Sequence, residues 1–397
     1  MNYLINTESV QDQEITCDCC NNGLINIEDK MFETYLIYLS MAILCPLWVK
    51  SIGTKNNNPK SFWLKVLFPL IVCSIIIGGR YEVGTDWPNY FDYILGFNTG
   101  RLTSSDIISP TLEPGFMAFT WGLSCLQFGP SLYFSFIALA FFVLLLTAES
   151  DKKYLFPLLI FFFFTQSFAS SMNIVRQCIA IYLFLFSTRY YEKNKILMAV
   201  LLLVSISFHY SSVILLIALF IDKKLFKILD KHWVVLAVFI ITYFIGFYLV
   251  KYVEMIIPTE YLSDKYLNSL SNISGEMVVS SGLGIITTKI MDGLMIVLSP
   301  KIKEAFNDQR TIFLYRLYFI GIILSNIAGV SEYLSRLFLG FVMIRVFILS
   351  YACYYLINYD KDKKIIGYGL IFLGFIYLIM SVMNGNGGCS PYQFLWQ

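Results

Sequence analysis

The sequence predicts an all-α polytopic membrane protein. Two figures of composition and one pattern carry that expectation. Of 397 residues, 57% are hydrophobic and only 14% charged, whereas soluble domains carry about 25% charged residues. Apolar runs close to the ~20 residues a spanning helix needs recur from residue 32 to residue 383. The net charge of +2 gives no support to nucleic-acid binding.

Taken in order, residues 1–31 are polar and acidic. They lack the basic start and apolar core of a secretory signal, so they are expected to be an extracytoplasmic extension, with the first helix doubling as the targeting signal. Their Cys17, Cys19 and Cys20 form the one cysteine cluster, but no His or second Cys pair accompanies it as a metal site would require. About twelve spanning helices are expected, at 32–49, 62–79, 131–148, 154–171, 174–190, 196–208, 210–221, 233–250, 282–299, 311–330, 333–356 and 365–383. Outer loops are expected at 79–114 and 251–281, and an outer tail at 384–397.

Residues 115–130 are apolar but short and bounded by Gly and Pro at both ends. Cytoplasmic loops are enriched in Lys and Arg, and this decides how the segment is read. If 115–130 is re-entrant or interfacial, nineteen Lys and Arg fall in the loops of one side and seven in those of the other. If it crosses, the asymmetry disappears. The first reading puts both termini outside, and it gathers Arg80, Asp86, Glu113, Arg176, His209, Glu332 and Arg336 at the outer face.

The densest polar stretch is Gly78–Asp92. Thr85 or Asp86 can cap a helix in which Pro88 occupies the first turn. Trp87, Tyr90, Phe91, Ile94 and Leu95 then repeat at helical spacing, as in a helix lying in the membrane interface. The stretch reads either as an interfacial anchor or as a cover over a pocket lined by Arg80 and Asp86. Asn173, Arg176, Gln177 and Ala180 share a helical face. A polar stripe with an arginine just inside the membrane faces a cavity more often than lipid; the bland alternative is snorkelling to headgroups. His209, in Phe208–Ser212, is either structural or a general base. Glu332 and Arg336 read as a local pair, Lys289 and Asp292 as a neutralising pair within one helix, and Arg316 and Arg345 as snorkelling cations. There is no P-loop, no dinucleotide fingerprint and no His-rich metal site.

Four blocks together resemble the Wzy-type polysaccharide polymerases of the EpsG-like group. They are Arg80–Trp87 with Asn89 and Tyr90, Glu113–Phe116, Arg176–Ala180 and Phe208–Ser212. The resemblance covers roughly residues 32–383; the acidic extension departs from it. It implies a metal-independent enzyme without cofactors, of integral-membrane glycosyltransferase (GT-C-like) architecture, in the bacterial plasma membrane. Such an enzyme joins undecaprenyl-pyrophosphate-linked oligosaccharide units on the outer face. Its partners would be those lipid-linked glycans, membrane lipids, and flippase and chain-length regulator proteins. On this reading Arg80, Arg176 and Arg336 hold pyrophosphate, since arginine binds phosphate by planar, charge-assisted bonds. His209, Asp86 or Glu113 serves as base for the acceptor hydroxyl. Gln177, Asn173, Asn89, Tyr90, Trp87 and Tyr210 contact sugars. A polysaccharide ligase with the same donor, a lipid or oligosaccharide transporter and a membrane acyltransferase are the alternatives.

Overall fold

The computed structural model describes residues 18–51, 59–108, 112–222, 224–256, 282–329 and 332–395; the side chains of 18–28, 59–62, 225, 247–256, 332, 333 and 361 lie outside that description. The expected Glu332–Arg336 pair, the cysteine cluster and most of the 251–281 loop therefore fall outside the described residues.

The helices are α1 Asp18–Ser51, α2 Pro59–Gly78, α3 Trp87–Asn98, α4 Pro114–Cys125, α5 Pro130–Ala148, α6 Phe156–Gln166, α7 Phe168–Asn173, α8 Val175–Ser187, α9 Lys195–Phe208, α10 His232–Ile256, α11 Leu283–Phe306, α12 Gln309–Ala328, α13 Glu332–Val342, α14 Arg345–Asn358 and α15 Lys364–Met383. Among the described residues, six stretches are long and apolar enough to cross a membrane: Asp29–Ser51, Pro130–Ala148, Leu283–Phe306, Gln309–Ala328, Leu334–Asn358 and Lys364–Met383. Trp63–Gly78, Lys195–Phe208, Tyr210–Phe220 and His232–Gly246 are shorter apolar helices. The all-α membrane class thus holds. Helix α1 begins at Asp18 rather than residue 32, so it reaches back into the acidic extension.

Two expected single helices are broken. The 154–171 run divides at Ser167 into α6 and the one-and-a-half-turn α7, and Ile174 (φ −89°, ψ 60°) then turns the chain into α8. The Ser171 hydroxyl bonds the Ser167 carbonyl at 2.9 Å, the local competition for backbone groups that Ser brings to a helix. The 333–356 run tightens at Met343–Ile344, where Ile344 N bonds Phe341 O and Val346 N bonds Met343 O. These i→i+3 bonds are those of a 3-10 turn. Just before that turn α12 crosses very close: a methyl group on Gly321 would lie 2.7 Å from Phe341 Cβ. The segment 210–221 is a 3-10 helix, Tyr210–Phe220. At ~2.0 Å rise per residue it reaches further than an α-helix of the same length.

One expected pairing and two expected snorkelling cations are corrected by contacts between helices. Asp292 does not neutralise Lys289. It takes a two-pronged bond from Arg345, with Nε to Oδ1 2.8 Å and Nη2 to Oδ2 2.9 Å, and a further bond from the Tyr318 hydroxyl at 2.5 Å. Arg345 is therefore an ion-pair partner rather than a snorkelling cation. Arg316 likewise forks onto Asp230 at 3.0 and 2.6 Å.

At one end of the bundle the basic loops tie to each other. Lys152 pairs with Asp308 at 2.7 Å, Arg310 with Glu149 at 2.7 Å, and Lys193 with Asp151 at 2.8 Å. The end of α2, the start of α8 and the end of α9, at the opposite face, carry Arg80, Arg176 and His209. There the tail after α15 is folded back, not free. Tyr81 N bonds Gln393 O (2.9 Å), Gly84 N bonds Gly388 O (2.8 Å), Thr85 N bonds Gly387 O (3.0 Å) and Leu395 N bonds Gly79 O (2.7 Å). Arg80 and Phe394 thereby form an antiparallel bridge, and Cys389 and Tyr392 are buried.

Candidate active site

Three helix ends meet at this face. Glu113 occupies the N-cap of α4, Arg176 lies in the first turn of α8, and His209 stands between α9 and the 3-10 helix Tyr210–Phe220. Helix α4 can approach α9 only because residue 115 is glycine: a Cβ there would lie 2.2 Å from Ser207 Oγ and 2.8 Å from the Ser207 backbone. That contact sets Glu113 beside His209.

Glu113 is the shared centre. Its Oε2 accepts from Arg176 Nη1 at 2.5 Å, and its Oε1 lies 2.8 Å from His209 Nδ1. Its side chain is only 7% exposed. Burial works against its charge, but the bond from His209 and the Arg176 guanidinium outweigh that, and the carboxyl is held down at about 2. As an ionised acceptor it requires Nδ1 of His209 to carry the proton, which leaves Nε2 as the basic nitrogen. The guanidinium of Arg176 lies 5.9 Å from the centre of the Phe116 ring, and its Nε has no hydrogen-bond partner among the described residues. The N-termini of α4 and α8 add their positive dipole ends.

The other expected residues are distributed around this cluster. Gln177 Nε2 donates to the Arg336 carbonyl at 2.5 Å, tying α8 to α13. Arg336 lines a neighbouring cavity of about 230 Å³ together with Asn173, Gln166, Tyr377 and Asn386. Asn173 Oδ1 accepts from the Thr85 hydroxyl (2.8 Å) and from Asp86 N (3.0 Å). The start of α3 is therefore satisfied by Asn173; Asp86 sits at the N-cap without a side-chain cap bond. Tyr210 is 54% exposed and Asn89 is also exposed.

The placement of three residues differs from expectation. Arg80 is fully buried, its guanidinium 4.6 Å from the Phe134 ring centre and bonded to the Met172 carbonyl, with Nε and Nη2 unpartnered among the described residues. It braces the corner between α7 and α8 at Met172, and among the described residues no hydrogen bond or ion pair joins it to Glu113, Arg176 or His209. Trp87 and Tyr90 are 4% and 3% exposed. Their helix packs its apolar face onto protein, Trp87 stacking on Phe91 and Phe134 and Tyr90 meeting Phe116 edge-on. That face turns to the core rather than to lipid.

The EpsG family profile matches residues 62–394. The chain belongs to the EpsG family. No curated protein and no solved structure matches it. The EpsG match runs through the folded-back tail, the part of this face that sequence reasoning missed. A run of Gly385, Gly387 and Gly388 followed by Tyr392 and Phe394 was the available signal, since aromatic residues beyond the last helix need something to pack on. Gly84, at φ +99° and 3.1 Å from the Met172 carbonyl by its would-be Cβ, lets that strand-like contact form.

Proposed function

We propose that this EpsG-family protein is a glycosyltransferase that polymerises lipid-linked oligosaccharide units at the outer face of the bacterial plasma membrane, through about twelve crossings in a GT-C-like arrangement with 115–130 as a re-entrant or interfacial segment. The single observation that carries the proposal is the carboxylate of Glu113 shared between Arg176 and His209. In this arrangement Glu113 is the group that orients His209, not the base itself. The acceptor hydroxyl gives its proton to His209 Nε2, and its oxygen attacks the anomeric carbon of the donor sugar. The bond from that carbon to the diphosphate breaks, and the diphosphate leaves with the electron pair. Preorganised positive groups aimed at growing charge are where such sites gain most. Arg176, Arg336 and the helix N-termini supply them. Arg80 acts by fixing the Met172–Asn173 corner.

Reconstitution with one purified lipid-linked repeat unit tests this. The wild type should build a ladder, and Arg176→Ala and Glu113→Gln should reach the membrane and build none. Normal long chains from either variant would sink the assignment. A transporter remains the second reading, because broken helices occur in both halves of the chain, at Ser167 and at Met343, as such folds require. Movement of lipid-linked unit across a vesicle bilayer without elongation would favour it.

A further inference from the structure

A second cavity, of about 540 Å³ and partly open, lies between α11, α12, α13 and α15. Its lining is polar for a membrane depth, with Thr288, Ser325, Ser335 and Asn384 among its walls, and it holds two cations, Lys289 and Arg345. One carboxylate, Asp292, is committed to Arg345 and to Tyr318. Lys289 bonds only the neutral Asn326 amide oxygen and lies 5.9 Å from the Phe239 ring centre, with no carboxylate within ion-pair distance among the described residues. The cavity wall thus carries one positive charge in excess. Lys289 is the seventh residue of α11, about 9 Å in from its outer end at 1.5 Å per residue. A lysine at such depth is costly, and an apolar residue there would avoid the cost. An anion arriving from the outer leaflet would offset it.

The position adds to the charge. Tyr377, Ser381 and Asn386 line both this cavity and the one that holds Arg336, and α13 presents Arg336 to one and Ser335 to the other. The two cavities are therefore neighbours across one helix, whose diameter is roughly 10–12 Å. A reaction between two lipid-linked molecules needs two diphosphate headgroups side by side. We infer that the Lys289 cavity is a second binding site for a lipid diphosphate and holds that of the acceptor; the acceptor assignment rests on the polymerase reading.

The test uses the full-length protein in phosphatidylcholine nanodiscs, with undecaprenyl pyrophosphate as the probe counted by native mass spectrometry. The wild type and Lys289→Arg should bind two molecules. Lys289→Met, which leaves Asn326 its bonds to Phe239 O and Thr242 and should fold, should bind one, the second weakened on the order of tenfold or more. In the polymerisation assay, with a donor whose own acceptor hydroxyl is blocked, Lys289→Met should raise KM for the acceptor by a similar factor and leave KM for the donor unchanged. Two molecules bound and both KM values unchanged in Lys289→Met would overturn the inference. Equal displacement by phosphatidylglycerol would make the site one for bulk anionic lipid and overturn the acceptor assignment. A wild type that builds no ladder, while the lipid count still falls from two to one in the variant, would sink the polymerase reading and the acceptor assignment with it, and support the diphosphate site alone.

Discussion

Gly115→Ala adds one methyl group and tests the whole geometry of the Glu113 cluster. The new Cβ would meet Ser207 Oγ at 2.2 Å and the Ser207 carbonyl carbon and oxygen at 2.8 Å. The hydroxyl can rotate away, but the backbone cannot. Restoring ordinary contact of about 3.4–3.5 Å requires α4 and α9 to part by roughly 0.6 Å. Glu113 and His209 stand two residues from the clash on either side. Their 2.8 Å contact would lengthen to about 3.4 Å, past the usual range of a hydrogen bond. A displacement of this size in a catalytic constellation costs up to about 100-fold in rate, and loss of the orienting carboxylate in a comparable His–carboxylate pair costs about 10⁴-fold. Ladder formation by purified, reconstituted enzyme should therefore fall by about two orders of magnitude, while overpacking lowers stability by only about 1–3 kcal/mol, seen as a modest drop in the unfolding temperature in detergent. Glu113→Gln should reproduce the rate loss with α4 and α9 still in contact, because it removes the charge and not the glycine. A Gly115→Ala enzyme that elongates within threefold of wild type would refute the claim that α4 and α9 are held at contact to align Glu113 with His209.

Because the folded Glu113 carboxyl is held at about 2 against an ordinary value of 4.5, its pairing stabilises the fold fully above about pH 4.5 and is lost as pH falls toward 2. The difference in unfolding temperature between wild type and Glu113→Gln should be constant from pH 8 to about 4.5 and close below that; a difference that closes near neutrality would contradict the pairing. Deleting residues 385–397 removes the four backbone bonds to 79–85. It should make that stretch sensitive to limited proteolysis and abolish elongation, whereas an unchanged cleavage pattern would show that the tail does not hold the loop. Arg345→Met strands the buried Asp292 and should cost about 3–5 kcal/mol, measured as lost folded yield and a lower unfolding temperature. The pair Arg345→Met with Asp292→Leu should recover most of it. Arg336→Gln should raise KM for the donor with a smaller effect on kcat, while Arg176→Lys, which keeps the charge but loses the planar fork, should lower kcat; equal effects on both parameters would merge the roles given to the two arginines.

The sequence made the helices legible because length and apolar content are what a bilayer demands. The breaks in them were not legible: Met343 sits in a run whose hydropathy does not change, and the polar Thr165, Gln166 and Ser167 are also compatible with an unbroken helix. Glu113, Arg176 and His209 stood out as polar residues at helix ends, and they do meet. Their order of contact did not, since nothing in a linear chain says that Glu113 lies between the other two. Arg80 shows the reverse case. A buried arginine that braces a carbonyl and an exposed one that binds phosphate are the same letter, and only the surroundings at Met172 and Phe134 separate them. Asp292 was paired with Lys289 because i, i+3 spacing is visible in sequence, whereas Arg345, its partner, is 53 positions away.

Charge accounting narrows what the Glu113 cluster can do alone. Arg176 and Glu113 cancel, and a neutral His209 leaves the trio with no net charge to offer a diphosphate. An enzyme that needed only an anion hole would not place a carboxylate there. The carboxylate is useful if the imidazole must be held with Nδ1 protonated and Nε2 free, which is the requirement of a base and not of a phosphate ligand. Net positive charge for the leaving group, beyond the Glu113-paired guanidinium of Arg176, must then come from beside the cluster. Arg336, joined to it through Gln177, and the N-terminus of α8 are in position for it, whereas Lys289, across α13, serves the acceptor's diphosphate. Base and cations are thus divided between separate elements, with α8 carrying the link from one to the other.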